Sequence, residues 1–174
     1  MPRDGRSYIN NIRADGRDVR LYGARVEDVT EHRAFRNAVS SYASLYDFQC
    51  EPDNLELMTF ESPDTGERVN RAWHCPRSYD ELVVRREAMV AWNRLHCGFM
   101  GRSPDHVAST IAGFHMGLDR FRAYDKARAR AVEDYYRYAR DHDLFLTYTI
   151  INPQADRSKQ AHEQAEEFLT MRVM

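Results

Sequence analysis

The sequence predicts a mainly α-helical domain that carries one or two small β-hairpins. Apolar residues recur every three or four positions in several segments, the spacing that gathers side chains on one helical face. Short stretches of alternating apolar and polar residues flank turn-forming residues, as they do in hairpins. Strands and helices do not alternate as in βαβ units, which disfavours a Rossmann-type nucleotide-binding fold.

The composition indicates a folded protein without a preference for polyanions. The chain has 174 residues, of which 43% are hydrophobic and 11% aromatic, and this suits one domain or a domain with a short tail. Lys and Arg number 25 against 27 Asp and Glu, so the formal net charge is −2. Proteins dedicated to nucleic acids or membrane surfaces rely on excess positive charge, so both classes are disfavoured.

The chain also carries no sign of export or membrane insertion. No run approaches the roughly 20 consecutive apolar residues that cross a bilayer, and residues 1–6 lack an apolar signal core. We therefore expect a soluble, cytoplasmic protein. Cys50, Cys75 and Cys97 are odd in number and form no CxxC pair, which favours reduced, structural thiols over a disulfide framework.

The first third of the chain predicts an arm, a small hairpin and a helix. Residues 1–17 mix Arg, Asp, Gly and Asn, and we expect an arm that holds no core of its own. Alternation around Tyr22-Gly23, between residues 17 and 29, predicts a small hairpin or two short extended pieces. Helical spacing predicts a helix over residues 32–48. The residues that carry this spacing are Phe35, Val39, Tyr42 and Tyr46.

A second hairpin is predicted between Leu55 and Cys75. Its turn is Ser62-Pro63-Asp64-Thr65-Gly66, in which proline fixes φ and glycine permits positive φ. The alternating positions are Leu55, Leu57 and Thr59 before the turn and Val69, Arg71 and Trp73 after it.

Capping signals predict the start of two helices in the middle of the chain. Ser78 and Glu81 form a capping box, and the helix that follows should run to about His96, before Gly98 and Gly101. Ser103-Pro104 then offers Ser as a cap and Pro at the first helical position. The apolar residues of this next helix are Val107, Ile111 and Phe114.

A fourth helix and a final apolar segment follow. The helix is predicted over residues 124–140. Its predicted apolar face consists of Ala127, Ala131, Tyr135 and Tyr138. Residues 144–151 are apolar, β-branched and aromatic, which predicts a buried extended segment or a short last helical turn that ends at Asn152-Pro153.

Two His-Cys pairs leave a zinc site open as an alternative. His74-Cys75 and His96-Cys97 lie 22 residues apart and offer imidazole and thiolate, both zinc ligands. However, this spacing matches no standard zinc finger, and adjacent residues on a helix or strand point apart. We therefore prefer buried thiols and histidines at helix ends, with a small zinc protein as a third hypothesis.

Two segments are sharper candidates for a functional site. Residues 98–106 place Arg102 and His106 around a glycine-rich turn, where backbone amides and a cation can face one anionic oxygen. Residues 146–158 form an apolar run that ends in a dense polar loop, a place where function often lies. The simpler interpretations are a helix cap with surface charges and an ordinary change of chain direction.

Other sequence features are less specific. The motifs GxSxG, HExxH, GxGxxG and the P-loop are missing from the sequence, which removes the usual support for hydrolase, metalloprotease and nucleotide-binding functions. Basic residues between Arg120 and Arg140 could serve an anionic partner or a flavin phosphate. The acidic residues among them favour a solvated helical face.

Eight segments, in order along most of the chain, carry a resemblance to a known family. They are Asp15-Gly16-Arg17, Gly23-Ala24-Arg25-Val26-Glu27-Asp28-Val29-Thr30, Ala34-Phe35-Arg36-Asn37, Leu45-Tyr46-Asp47, Ser62-Pro63-Asp64-Thr65-Gly66, Pro76-Arg77-Ser78, Met100-Gly101-Arg102-Ser103-Pro104-Asp105 and Asn152-Pro153-Gln154-Ala155-Asp156-Arg157-Ser158. On these segments the chain resembles the amino-terminal domain of the 4-hydroxyphenylacetate 3-hydroxylase family, the oxygenase components of reduced-flavin-dependent aromatic monooxygenases.

The resemblance implies an acyl-CoA-dehydrogenase-like architecture. In it a helical amino-terminal domain precedes a β domain and a carboxy-terminal helical bundle that forms a tetramer. Such proteins take FAD, as FADH2, from a separate flavin reductase, form a flavin C4a-hydroperoxide with O2 and hydroxylate a phenol ortho to its hydroxyl. The implied partners are an aromatic substrate, a flavin reductase and the carboxy-terminal oxygenase portion or a partner chain, assembled as an oligomer.

The resemblance also implies site residues. In the family an Arg, a Tyr and a His hold the phenol oxygen, and the corresponding positions here are Arg102, His106 and Tyr148. Arg102 would favour a phenolate, which raises the electron density of the ring carbon that is hydroxylated. His106 and Tyr148 can each still donate a hydrogen bond. The implied cofactor-binding residues are Asn152, Gln154 and Arg157.

The chain ends about where the family's β domain would begin. We therefore expect an arm (residues 1–17), a helical domain (residues 18–158) and a tail (residues 159–174) that leads toward an absent β domain. A partial pocket cannot preorganise donors or exclude water, so the chain alone is expected to be inactive.

Two functional hypotheses follow from this. In the first, the chain is the substrate-side part of a monooxygenase and needs the missing domains or a partner chain. In the second, it is a non-catalytic helical interaction module derived from that family, with an exposed apolar face that binds another protein or a second copy.

Overall fold

The computed structural model describes residues 2–147, 158–160 and 163. Within them the chain forms seven α-helices, one 3-10 turn and two antiparallel two-stranded hairpins, which confirms the predicted fold class. The helices are α1 (Gly5–Ala14), α2 (Arg36–Cys50), α3 (Pro52–Met58), α4 (Tyr79–His96), α5 (Asp105–Met116), α6 (Leu118–Tyr124) and α7 (Lys126–Asp141). The strands are β1 (Arg20–Leu21), β2 (Ala24–Arg25), β3 (Thr59–Glu61) and β4 (Arg68–Asn70), and the 3-10 turn is Arg71–Trp73. None of these helices is long and apolar enough to span a membrane.

Three clusters of buried side chains form the core of the described residues. The α5–α7 cluster consists of Ala72, Trp73, Ala108, Ala112, Tyr136 and Ala139. The α1–α2 cluster consists of Tyr8, Val39, Ala43 and Tyr46. The α2–α4 cluster consists of Leu45, Met58, Ala88 and Trp92. Helix α2 contributes to two of the three clusters and therefore joins them.

Helix α1 lies within the residues that the sequence predicted as an arm. The Asp4 side chain caps it by accepting a hydrogen bond from the Ser7 amide at 2.7 Å. The Gly5 amide donates to the Asp47 carboxylate of α2 at 2.9 Å, and the Tyr8 ring stacks on Tyr46 with 5.1 Å between centroids. The expectation of an arm therefore missed this helix, because a single large buried side chain leaves little apolar periodicity to detect.

The first predicted hairpin is confirmed around Tyr22-Gly23. Strand β1 pairs with β2, with Leu21 opposite Ala24. Both turn residues adopt positive φ, 51° for Tyr22 and 82° for Gly23, as two-residue hairpin turns require.

The second hairpin is also present but is shorter than predicted. Strand β3 pairs with β4, with Thr59 opposite Asn70. The alternation at Leu55 and Leu57 was wrongly interpreted as a strand, because these residues belong to helix α3. Pro52 is at the start of that helix, where its missing N–H costs no hydrogen bond.

The boundaries of α2 and α4 agree with the sequence to within a few residues. Helix α2 begins at Arg36, four residues later than predicted, after a series of turns. Helix α4 begins after Ser78, whose hydroxyl accepts from the Glu81 amide at 3.2 Å. The Glu81 carboxylate accepts from the Arg77 amide at 2.6 Å, one residue earlier than in a standard capping box.

The start of α5 differs from the prediction. Ser103 does not cap this helix with its side chain, because its hydroxyl donates to the Asp105 carboxylate instead. Pro104 already has helical dihedral angles, with φ −55° and ψ −29°, and the helix is continuous from Asp105. The proline therefore helps to start the helix, while the serine fixes the turn that precedes it.

Helix α7 confirms the fourth predicted helix but buries a different face. The buried residues are Ala129, Tyr136, Ala139 and Arg140, whereas Ala127, Ala131, Tyr135 and Tyr138 are exposed. Alanines and tyrosines recur on both faces, so periodicity alone could not choose between them. The Tyr136 hydroxyl donates to the Trp73 carbonyl at 2.7 Å inside the core, and this contact orients the helix.

Arg140 is a buried cation that attaches the second hairpin to α7. Its guanidinium pairs with Asp64 at 2.5 Å and with Asp141 at 2.8 Å, and it lies 5.2 Å from the centroid of the Tyr136 ring. The Ser62 hydroxyl donates to Asp141 at 2.7 Å. The predicted turn of residues 62–66 is thus held against α7 by charge-assisted bonds.

Asp143 is the centre of a buried polar network. Its carboxylate accepts from the Gln49 side-chain amide at 3.0 Å, and its carbonyl accepts from the Arg3 guanidinium at 3.1 Å. The Asn70 amide in turn donates to the Gln49 carbonyl. Burial raises the pKa of Asp143 to about 6, although the Gln49 hydrogen bond and the Arg3 charge oppose the shift.

The close approach of α1 to α2 predicts the effect of a substitution at Gly5. A Cβ atom there would lie 2.6 Å from the Ala43 carbonyl oxygen and 2.6 Å from the Asp47 carboxylate. Gly5→Ala should therefore lower the free energy of unfolding by about 1–3 kcal/mol through overpacking. Gly113→Ala is the matched control, because open space surrounds that helical position, and it should raise stability by up to about 1 kcal/mol. Urea unfolding of both variants is the measurement, and equal effects would contradict the close contact.

The raised pKa of Asp143 predicts a pH-dependent stability. In the unfolded chain this carboxyl ionises near its ordinary pKa of 3.8, whereas the folded chain holds its proton up to about pH 6. Stability from this group is thus fully present below pH 3.8 and is lost as the pH rises through 6, by at most about 3 kcal/mol. The measurement is urea unfolding from pH 4 to 8 of the parent protein and of Asp143→Asn. The parent should lose stability relative to the variant across that range, and a constant difference would contradict the assignment.

Candidate functional site

The turn of residues 98–105, here the arginine turn, connects α4 to α5. Cys97 ends α4 in a left-handed conformation, and Gly98 and Gly101 follow with φ of 77° and 70°. Two positive φ values at these positions favour glycine over any residue with a side chain. The Arg102 amide donates to the Met100 carbonyl at 2.7 Å, which closes the turn just before α5.

The arginine turn combines a backbone anchored in the core with exposed side chains. Ser103 and Pro104 are buried, and Met100 packs against the α2–α4 cluster. Arg102 and His106 are exposed residues, four positions apart at the start of α5. The backbone of the turn is therefore held by the core, while two hydrogen-bonding side chains stand at the surface.

Arg85 of α4 forms hydrogen bonds that fix the position of α5. Its guanidinium donates to the Ala72 carbonyl at 2.7 Å and to the Ser109 hydroxyl at 2.9 Å, so it links the 3-10 turn to α5. Burial lowers the pKa of Arg85, and the negative charge of Asp105 opposes this shift. Sequence reasoning missed this role, because an arginine in a helix with many charges looks like a solvated residue.

Residues 144–147, the described part of the predicted apolar segment 144–151, pass between two clusters. Leu144 and Leu146 pack against the α5–α7 cluster, whereas Phe145 packs against the α1–α2 cluster. These residues form neither helix nor strand, so the alternative of a helical turn is excluded for this half of the predicted segment. Tyr148 lies outside the described residues, as do the predicted cofactor-binding residues. Those residues are Asn152, Gln154 and Arg157.

Tyr42 of α2 contacts both the arginine turn and residues 144–147. Its ring lies 4.6 Å from the ring of Phe145, and its hydroxyl donates to the Arg102 carbonyl at 3.3 Å. Burial raises the pKa of Tyr42, so the hydroxyl remains a neutral donor at physiological pH. The sequence predicted Tyr42 only as a core residue, since nothing in its helical spacing distinguishes it from Val39 or Tyr46.

Two cavities flank Tyr42. The larger, here the α1–α2 cleft, has a volume of about 770 Å³ and lies between α1, the first hairpin, α2 and residues 144–147. The smaller, of about 400 Å³, lies between α2 and the end of α4, where Phe99 is 94% exposed. Among the residues that the structure describes, the lining of neither cavity includes Arg102 or His106.

The His-Cys pairs are held apart by the fold. Cys75 donates to the Tyr136 hydroxyl at 3.3 Å inside the core, and His74 lies 3.9 Å from the Glu81 carboxylate. Cys97 is exposed at the end of α4. Within residues 2–147, 158–160 and 163, no group of three or more His, Cys, Asp or Glu side chains could hold a metal ion.

Comparisons with known proteins agree with the predicted family. The sequence model described as "4-hydroxyphenylacetate 3-hydroxylase N terminal" matches residues 4–174. The 4-hydroxyphenylacetate 3-monooxygenase oxygenase component of a Geobacillus species is 42% identical over 165 residues, which cover 94% of this chain and 33% of the relative. The 4-nitrophenol 2-monooxygenase oxygenase component of a Rhodococcus species is 37% identical over 167 residues, 95% of this chain and 31% of the relative.

Solved structures show the same fold. The oxygenase component of 4-hydroxyphenylacetate 3-monooxygenase, crystallised with FAD and 4-hydroxyphenylacetate, matches with a TM-score of 0.84 and 33% identity, over 95% of this chain and 33% of that one. An archaeal 4-hydroxybutyryl-CoA dehydratase from N. maritimus matches with a TM-score of 0.76 at 21% identity, which bears on the fold alone. The predicted acyl-CoA-dehydrogenase-like helical domain is thereby confirmed.

The coverage of the matches shows which part of the relatives this chain corresponds to. It spans about a third of the relatives it matches, and this third is their amino-terminal part. The match runs through both candidate segments, including the arginine turn and the residues after Thr147. The chain therefore belongs to the 4-hydroxyphenylacetate 3-hydroxylase family.

Proposed function

We propose that the chain is the amino-terminal, substrate-side part of a reduced-flavin-dependent monooxygenase that hydroxylates a phenolic or related aromatic substrate. The observation that carries this proposal is the family match over residues 4–174, together with an arginine turn whose backbone is anchored and whose arginine is exposed. The chain spans a third of its relatives, so activity requires the remaining domains or a partner chain.

Arg102 is the proposed residue for the substrate oxygen. A guanidinium beside a phenol stabilises the phenolate. The negative charge of the phenolate raises the electron density of the ring carbon that is hydroxylated. His106, four residues further at the start of α5, and Tyr148 are the proposed hydrogen-bond donors to the same oxygen. The chain spans about a third of its relatives, so the remaining part of the enzyme is the proposed source of the opposite wall of the site.

FAD, in its reduced form, is the proposed cofactor. Support comes from relatives that were crystallised with FAD. When bound, the reduced flavin would supply the electrons that activate O2, from which one oxygen atom goes to the substrate. Asn152, Gln154 and Arg157 are the proposed contacts to it, and their amide and guanidinium donors suit the carbonyl and ring-nitrogen acceptors of a flavin. A separate flavin reductase and an oligomeric assembly are further parts of this proposal.

Tyr42 is the proposed positioning residue of the site. Its hydroxyl holds the carbonyl of Arg102, and its ring contacts Phe145, three residues before Tyr148. A single side chain thus contacts both the arginine turn and residues 144–147, which lead toward the proposed donor Tyr148. Because α2 itself is held by two core clusters, this placement is rigid.

The alternative proposed function is a non-catalytic interaction module, which exposed apolar side chains of the domain favour. Phe99 is 94% exposed beside the smaller cavity, and Phe114 and Met116 at the end of α5 are 45% and 58% exposed. Single exposed residues are common, but several on one domain also mark surfaces that another polypeptide covers.

Light scattering separates the two functions. A stable homodimer that never binds reduced flavin favours the module, and a monomer rescued by the missing polypeptide favours the enzyme.

Reconstitution tests the role of Arg102. The chain is co-expressed with a polypeptide that corresponds to the remaining two-thirds of the Geobacillus relative, and hydroxylation of 4-hydroxyphenylacetate is measured with a flavin reductase and O2. Arg102→Ala should lower kcat/KM by about 10- to 100-fold, the loss expected for one charge-assisted hydrogen bond. Arg120→Ala, an exposed arginine elsewhere on the domain, should leave it unchanged. Equal rates for both variants would contradict the assignment of Arg102.

The hydroxyl of Tyr42 can be tested on the chain itself. Tyr42→Phe removes only the hydrogen bond to the Arg102 carbonyl, and the arginine turn should then open more often. We expect trypsin to cleave after Arg102 about two- to fivefold faster, which corresponds to a loss of up to about 1 kcal/mol. Tyr46→Phe is the matched control on the same helix, because the Tyr46 hydroxyl is buried beside Arg3 and makes no hydrogen bond to the arginine turn. In the reconstituted enzyme Tyr42→Phe should raise KM more than it lowers kcat. Cleavage at the parent rate would contradict the positioning role.

A further inference from the structure

We propose that the smaller cavity, between α2 and the end of α4, is where the remaining part of the enzyme docks on this domain, and that His96 is the residue that recognises it. The docking segment presents an apolar side chain to the cavity and backbone peptide groups to the His96 ring. The inference rests on the proposed function only in requiring the remaining two-thirds of the enzyme. It otherwise stands on the burial, exposure and hydrogen bonds of the cavity walls.

The floor of the smaller cavity belongs to the core. Leu45 is 1% exposed, and Met100 packs against the α2–α4 cluster. The Leu45 carbonyl accepts a hydrogen bond from the indole N–H of Trp92 at 3.0 Å, which fixes α2 against α4. The cavity of about 400 Å³ is therefore preformed, and a docking segment can enter it without rearranging these walls.

The rim of the cavity is apolar and exposed to solvent. Leu95 of α4 is 47% exposed, and Phe99 of the arginine turn is 94% exposed. The Phe99 amide donates to the His96 carbonyl at 2.9 Å, so the backbone that carries this ring is fixed. Large apolar side chains held at the surface beside a cavity are typical of a surface that another polypeptide covers.

The hydroxyl groups of the cavity leave it suited to a neutral occupant. The described residues that line it include no Lys, Arg, Asp or Glu. Ser41 and Ser44 donate to carbonyls of their own helix at 2.9 and 2.8 Å, and Tyr42 donates to the arginine turn. The hydroxyl protons of this wall are therefore already used, and the wall favours an uncharged, mainly apolar side chain.

His96, the last residue of α4, is the polar side chain of this cavity whose hydrogen bonds are not made. Both of its ring nitrogens are buried, and neither has a hydrogen-bond partner among the described residues. A neutral imidazole has one N–H donor and one acceptor nitrogen, so it needs one group of each kind. Buried polar atoms in native proteins are nearly always paired. Adjacent peptide groups of a docking segment supply a carbonyl and an amide together.

The remaining part of the enzyme is the occupant that these features favour. The chain spans only about a third of its relatives, so the larger part of each relative lies outside the match. A second copy is disfavoured by size, because nine residues line the cavity and a stable interface uses roughly 20–30 residues on each side. Nine residues suffice for one anchor point within a larger contact between domains. The arginine turn carries both Phe99 and Arg102, so a segment docked here also approaches the proposed phenol site.

Co-purification tests the role of the cavity. A tagged form of the chain is co-expressed with the polypeptide that corresponds to the remaining two-thirds of the Geobacillus relative, and the captured amount is measured without substrate. Ser41→Trp places an indole in the cavity from an exposed position of α2, and it should lower capture about tenfold or more. Ser40→Trp is the matched control. Ser40 is also exposed on α2 but does not line the cavity, so capture should stay within about twofold of the parent.

His96→Phe keeps the test decisive if Ser41→Trp disturbs the fold. Phenylalanine has a ring of similar shape without buried nitrogens, so the urea midpoint of the chain alone should stay the same or rise. Capture should nevertheless fall about fivefold or more, because hydrogen bonds across the contact are lost. A histidine with a merely structural role would not show these opposite effects. Alkylation of Cys97, an exposed thiol next to His96, should also be slower in the parent complex than in the chain alone.

Several outcomes would overturn the inference. They are equal capture by Ser41→Trp and Ser40→Trp, capture by His96→Phe at the parent level, and alkylation of Cys97 at the same rate in the complex and in the chain alone. A homodimer of the parent chain that Ser41→Trp dissociates would assign the cavity to a second copy and would also overturn it.

The same experiment separates this inference from the proposed function. Failure of the parent chain to capture the remaining polypeptide would overturn both. Capture that depends on Ser41 and His96, but without hydroxylation in the complex, would support the docking site and contradict only the proposed monooxygenase function.

Discussion

The buried hydrogen bonds around Gln49 are the constraint on which the rest of the fold depends. Gln49 of α2 donates to the Asp143 carboxylate and accepts from Asn70 at the end of β4. It also donates to the Arg3 carbonyl at 2.7 Å. Four parts of the chain that are far apart in sequence therefore meet at one fully buried amide. A buried polar group must be satisfied, so these four parts cannot shift independently without leaving a donor or acceptor unpaired.

The elements that the sequence predicted well are those with local chemical signals. Ser78 and Glu81 mark the start of α4 because a cap is a bond between residues three apart, and Ser62 to Gly66 mark a turn because proline and glycine restrict φ locally. The elements that it missed depend on distant contacts. Helix α1 is fixed by Asp47 of α2, and the buried face of α7 is chosen by the Trp73 carbonyl. No pattern within either helix encodes these partners.

The residues of the candidate site differ in the same way, since some have a local sequence signal and others depend on distant contacts. Arg102 could be proposed from the sequence, because the glycines beside it adopt positive φ and because the motif belongs to a recognisable family. Tyr42 could not, since its role comes from lying between the arginine turn and Phe145. Residues that act through position, rather than through a motif, require the three-dimensional structure.

The alternating contacts of residues 144–147 have a mechanical consequence. Leu144 and Leu146 pack against the α5–α7 cluster, and Phe145 packs against the α1–α2 cluster. This short segment of backbone therefore contacts both clusters. Displacement of this segment would expose both clusters to solvent at the same time. The two halves of the domain should thus unfold together, and a polypeptide divided at this point would lose its interior on both sides of the break.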